Sequence, residues 1–199
     1  LQTTSLGQRA ELGAQDIALE DSGALTGEIS GPQLVQLGVR YVIIGHSERR
    51  WKLNESDKIV NQKLRSALHN GLTPIVCIGE RERNGEFKDF LRRQITATFM
   101  GLSEEEKERC LIAYEPVWAI STTPDARPDT PENALESVGL IQEMLKSKVK
   151  SQKLKVLYGG SITPTNVADF LAQNEFSGIL VGGASINREE FVKILEIAA

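Results

Sequence analysis

One arrangement recurs along this chain and leaves few folds open to it. A short run rich in valine, isoleucine and leucine ends in glycine or a polar residue, and a helical pattern follows. Such runs lie at 12–19, 39–45, 73–78, 111–115, 155–158 and 178–181. Near-continuous apolar runs, rather than alternating ones, predict parallel strands buried on both faces. The helices between them carry their own start signals. Ser30 precedes a segment with Pro32 in its first turn, and Ser56 caps a pattern whose apolar face is Ile59, Val60, Leu64, Ala67 and Leu68, closed by Gly71. Ser103 with Glu106 forms a capping box, and Thr130-Pro131 and Thr163-Pro164 each set a hydroxyl before a proline at the first helical position. Asn187 and Glu190 open a last helix with Phe191, Ile194, Leu195 and Ala198 facing inward. No linker divides the chain, so residues 1–199 are expected to form one α/β domain.

Two parallel α/β architectures fit that alternation. A doubly wound sheet calls for a glycine-rich turn after its first strand, and none is present. Polar and glycine residues gather instead at the carboxyl ends of the runs: Gly45-His46, Gly79-Glu80, Glu115, 158–161 and Gly182-Gly183. That placement favours a (β/α) barrel, whose active site is built from strand ends and the loops that follow.

Composition removes several classes of function. The net charge of −4 carries no basic stripe, which argues against a nucleic-acid surface. No apolar run approaches the roughly 20 residues of a membrane span, and no signal-peptide pattern is seen. Cys77 and Cys110 have no framework or metal-ligand spacing, so two buried, reduced thiols in a cytoplasmic protein are expected.

The residues able to carry chemistry sit at strand ends. Glu115 closes an apolar run and is followed by Pro116-Val117-Trp118. A partly desolvated carboxylate there suits a general base, although a structural ion pair or helix cap explains it equally well. His46 follows Gly45 and precedes Ser47-Glu48; a helical turn starting there would aim amide groups at the imidazole, depress its pKa and keep it neutral. His69, near a helix end, reads as a surface residue. The glycine pairs 159–160 and 182–183 let backbone amides approach an anion at consecutive strand ends, the usual phosphate site of a barrel. Residues 120–131 form a polar, proline-punctuated loop directly after Glu115, suited to a lid.

These segments resemble one family. YVIIGHSERR at 41–50, YEPVWAI at 114–120, YGGSITPTNV at 158–167 and GILVGGASI at 178–186 look like signature elements of the triosephosphate isomerases, and 12–30 and PIVCIGE at 74–80 match as well. The resemblance implies a TIM barrel and an enzyme that interconverts D-glyceraldehyde 3-phosphate and dihydroxyacetone phosphate through an enediolate, in glycolysis and gluconeogenesis. It implies Glu115 as the base, His46 as the group that polarises the carbonyl, and Ser47 and Glu48 as their support. It further implies a phosphate site at Ser121, Ser161, Gly182 and Gly183, with no metal or organic cofactor. Cys77 would be a buried structural thiol. Thr26, Gly27 and Glu28 resemble the loop tip that enters a neighbouring subunit, which implies a homodimer.

The chain also departs from the family pattern. The first matched strand corresponds to the family's third, and 1–10 looks like the end of the preceding helix. The family's first strand, first helix and second strand, with an active-site asparagine and lysine, have no counterpart in this sequence. About six of eight strand–helix units are therefore expected, leaving an open edge that invites self-assembly. The loop carries Ser121-Thr122-Thr123-Pro124 where the family has glycine, threonine, glycine and lysine, with Arg127 as a stand-in cation. The alternative reading is thus a partial barrel, impaired or inactive, that binds phosphate or assembles through its edge.

Overall fold

The computed structural model describes residues 10–145 and 154–199. The helix end expected over 1–10 lies almost wholly outside the described residues. Among the described residues six strands form one sheet in chain order: β1 (Leu12–Ala14), β2 (Val39–Ile44), β3 (Thr73–Ile78), β4 (Leu111–Tyr114), β5 (Val156–Tyr158) and β6 (Phe176–Ile179). Every neighbouring pair is parallel, and β1 and β6 do not meet. The sheet is a barrel wall left open.

The helices are α1 (Gly31–Gln36), α2 (Ser47–Lys52), α3 (Asp57–His69), α4 (Phe87–Thr98), α5 (Glu104–Glu108), α6 (Pro131–Leu145), α7 (Val167–Leu171) and α8 (Arg188–Ala198). Their starts follow the expected chemistry at Ser30, at Ser56, whose hydroxyl accepts from the Ile59 amide, and at the Ser103–Glu106 box, where each side chain takes the other's backbone N–H. The Asn187 side chain accepts from the amides of Glu189 and Glu190.

Several expectations need correcting. β1 ends at Ala14 instead of running to residue 19, because Gln15 and Asp16 leave the ladder for the cleft and a buried ion cluster. β6 lies two residues earlier than expected. Thr163-Pro164 opens a turn closed by Asn166, and α7 begins only at Val167.

Burial on both sheet faces holds only in the middle of the sheet. Val42, Ile44, Val76, Ile78, Ile112, Tyr114, Val156 and Tyr158 are fully buried against the helices, and on the other face Cys77 and Ala113 are buried as well, whereas Tyr41, Ile43, Ile75 and Leu157 there stay half-open. The unclosed wall covers its inner side only in part. At α8 only Ile194 is buried, and Leu195 and Ala198 are exposed.

The core has two parts. The larger joins β3–β6 to the long helices, with Tyr158 stacked on Phe170 at 3.9 Å. The smaller gathers Ile17, Leu34, Val39, Val42, Ile44, Val60, Ala67 and Leu72.

Candidate active site

The loops leaving the carboxyl ends of β2, β4, β5 and β6 line a cleft of about 790 Å³. β4 delivers Glu115 into it. The Glu115 amide donates to the Ile78 carbonyl at 2.8 Å, and the Gly159 amide donates to the Tyr114 carbonyl at 2.8 Å. The residue is only 2 % exposed. Its backbone fits there because residue 79 is glycine: a Cβ on Gly79 would overlap the Glu115 carbonyl.

β2 delivers His46. Gly45 turns the chain with a φ of 70°, and a Cβ there would press on the Arg50 guanidinium and Val60. His46 then caps α2: its Nδ1 accepts from the Glu48 amide at 3.3 Å. That acceptance places the imidazole proton on Nε2, which stands 2.9 Å from Glu115 Oε1. The other carboxylate oxygen, Oε2, accepts from the Ser47 amide at 2.9 Å. The base candidate and the imidazole are thus in direct contact, joined by the first amide of α2.

The expected depression of the His46 pKa is not what this geometry gives. The hydrogen bond that His46 donates to the Glu115 carboxylate raises its pKa above the ordinary 6.5, although burial pulls the other way. A carboxylate in contact outweighs the amide end of a six-residue helix.

Ser47 is buried and supports Glu115 through its backbone. Glu48 bonds His46 through its amide; its carboxylate adds to the rise of the His46 pKa and bonds Lys52 Nζ at 2.9 Å, which holds it below the usual range.

The anion corner lies across the cleft. Ser121, Ser161, Gly182 and Gly183 all line it, and the Ser121 amide donates to Ser161 Oγ at 2.7 Å. Arg127 is not part of this corner: its guanidinium sits 5.7 Å from the centre of the Trp118 ring. Thr26, Gly27 and Glu28 are exposed in the long β1–α1 loop and line no part of the cleft. Cys77 and Cys110 are buried and free, and burial pushes both thiols up. His69 is exposed.

Two buried networks escaped the sequence reading. Glu80, 1 % exposed, accepts through Oε1 from the Tyr114 hydroxyl (2.9 Å), the Trp118 indole (3.1 Å) and Arg83 (3.1 Å). Arg83 also reaches Ser137 Oγ, the Asn133 carbonyl and Glu136 on α6. Together they brace both ends of the 120–130 loop. In the second network Lys63 Nζ sits 2.5 Å from Asp16 and 2.6 Å from Glu55, and Arg49 bonds both carboxylates. Lys63 falls within the apolar stripe of α3, a signal that could have found it. Glu80 stood out only as a polar residue at a strand end and Arg83 not at all, because most of their partners come from distant segments.

Among the described residues no group of three or more histidine, cysteine, aspartate or glutamate side chains could hold a metal ion. No helix there is long and apolar enough to cross a membrane.

Residues 1–198 match the family model described as triosephosphate isomerase. The chain belongs to the triosephosphate isomerase family. Its fold agrees with a crystal structure of triosephosphate isomerase from Bartonella henselae at 1.6 Å resolution, with a TM-score of 0.81 and 34 % identity over 94 % of this chain and 77 % of that one. Membership in this family makes the chain an isomerase in general terms, on a TIM-barrel fold whose sheet is open here.

Proposed function

We propose that this isomerase interconverts D-glyceraldehyde 3-phosphate and dihydroxyacetone phosphate by proton transfer through an enediolate. The observation that carries this reading is the Glu115–His46 contact at 2.9 Å on the cleft wall. Glu115 is the base. Its carboxylate rests on His46 Nε2 and the Ser47 amide, and substrate must draw it away from them to reach the carbon-bound proton. His46 then turns its Nε2–H to the carbonyl oxygen, where negative charge develops. The Glu48 amide holds the opposite nitrogen as acceptor, which keeps that proton on the correct side.

The phosphate sits at Ser161, Gly182 and Gly183 with the Ser121 amide, and the 120–130 loop covers it. Neither step calls on a metal or an organic cofactor. The exposed tip at Thr26, Gly27 and Glu28 enters a second copy of the chain, giving a homodimer. The setting is glycolysis and gluconeogenesis in the cytoplasm.

The test is exchange with solvent. In deuterated water, turnover should place deuterium on the carbon that accepts the proton, and Glu115→Gln should abolish that incorporation. Incorporation at an unchanged rate in the variant would remove Glu115 from its role.

A second reading is favoured by the outer edges of β1 and β6, which pair with no strand among the described residues. In it the chain binds phosphate or assembles through those edges with little turnover. A folded protein that binds inorganic phosphate but exchanges no deuterium would favour it.

A further inference from the structure

Three side chains on the cleft wall carry positive charge or can acquire it: His46, Arg49 and Lys52. His46 is engaged with Glu115. Arg49 is committed to the buried cluster, where its guanidinium lies 2.7 Å from Asp16 and 2.8 Å from Glu55. Lys52 is placed differently. Its Nζ meets Glu48 Oε1 at 2.9 Å, and the two side chains are 65 % and 51 % exposed. An exposed pair four residues apart on a helix holds weakly, so the ammonium can be drawn to a stronger anion.

The fold sets this pair beside the imidazole. α2 starts directly after His46, with Glu48 in its first turn and Lys52 in its last. The field of Lys52 reaches His46 and opposes the rise caused there by Glu115 and Glu48. Across the cleft the anion corner offers hydroxyls and backbone amides, and Ser121, Ser161, Gly182 and Gly183 bring no cation. Three carboxylates, Glu48, Glu115 and Glu190, line the same cleft in a chain of net charge −4. A phosphate ester carrying about −1.5 to −2 enters against that charge unless a cation meets it.

We propose that Lys52 is a substrate-binding residue, held by Glu48 in the empty cleft and meeting the substrate's phosphate from the side opposite the glycine pairs. The phosphorylated substrate is that of the isomerase reading, on which this assignment rests. Binding is an exchange of partners without covalent change: Nζ leaves a carboxylate oxygen and donates to a phosphate oxygen. The phosphate brings more charge and three acceptor oxygens, and the flexible four-carbon stem lets Nζ cross to it while α2 stays in place.

The probe is inorganic phosphate, titrated into the full chain by calorimetry, with isomerase turnover measured on the same samples. Lys52→Met should weaken phosphate binding roughly tenfold or more, the effect of losing a charge-assisted hydrogen bond. KM should rise by a similar factor and kcat change less. Lys52→Arg should recover most of the affinity. Lys58→Met removes an equal charge from an exposed site on α3 outside the cleft, and phosphate affinity should then stay within about twofold of the parent's.

Unchanged affinity in Lys52→Met, a loss matched by Lys58→Met, or a folded parent that binds no phosphate overturns the proposal. Turnover in a parent whose phosphate affinity ignores Lys52 keeps the isomerase reading and removes the lysine from it. Phosphate binding that depends on Lys52 in a chain without turnover upholds the lysine's part and defeats the isomerase reading instead.

Discussion

At the scale of single residues, the pair that matters most is held by opposed demands on one imidazole. Glu115 favours a protonated His46, while the Glu48 amide requires an unprotonated Nδ1. The carboxylate prevails, so His46 in the free protein should titrate above 6.5 in a nuclear magnetic resonance pH series. A raised histidine stabilises the fold fully below 6.5, and that contribution fades as pH climbs through the raised value. In Glu115→Gln the histidine should fall back toward or below 6.5; an unmoved titration would mean that the contact does not govern it. The Lys63 cluster makes a separate prediction. Lys63→Met leaves Asp16 and Glu55 with Arg49 as their remaining shared cation, and removing one partner of a buried ion cluster costs up to about 3–5 kcal/mol. Urea denaturation should show that loss, and a change under about 1 kcal/mol would mean that the cluster is solvated.

At the scale of elements, position depends on how closely strands approach. Glu115 lies where it does because β3 is followed by Gly79, against whose Cα the Glu115 backbone packs. Gly79→Ala must push the end of β4 outward, and overpacking of this kind costs roughly 1–3 kcal/mol. Activity should fall further than stability, because a misplacement of about 1 Å at a catalytic group costs on the order of a hundredfold. A variant with unaltered melting temperature and turnover would show that the strand end can slide freely. The same contacts explain what was legible in the sequence. Val39–Ile44 and Thr73–Ile78 were readable because unbroken apolar runs between turn residues have few other uses. His46, Glu115 and the two glycine pairs were readable because each directly follows such a run. The brace from Glu80 through Arg83 to α6 was not, since sequence separations of 34 to 54 leave no local pattern. Nor was the true direction of the His46 pKa, which depends on a residue 69 positions away.

At the scale of the whole molecule, an open wall sets the behaviour. Among the described residues no strand pairs with the outer edges of β1 and β6, and Leu12, Ile186, Val192, Leu195 and Ile197 lie exposed on β1 and around α8. Unpaired strand edges beside apolar surface promote association. Sedimentation of the 199-residue chain should therefore give a mass above 21.9 kDa that falls on dilution; a strict monomer at every concentration would contradict this. The cleft itself is built by neighbouring strands β2 to β6, whose mutual pairing does not depend on that closure. The most direct test of the account is a coupled isomerase assay of the purified chain beside Glu115→Gln. The account predicts turnover in the parent and a loss of roughly 10²–10⁴-fold in the variant, the range that positioned general bases contribute. Equal rates in the two proteins, or none in a folded parent, would contradict it.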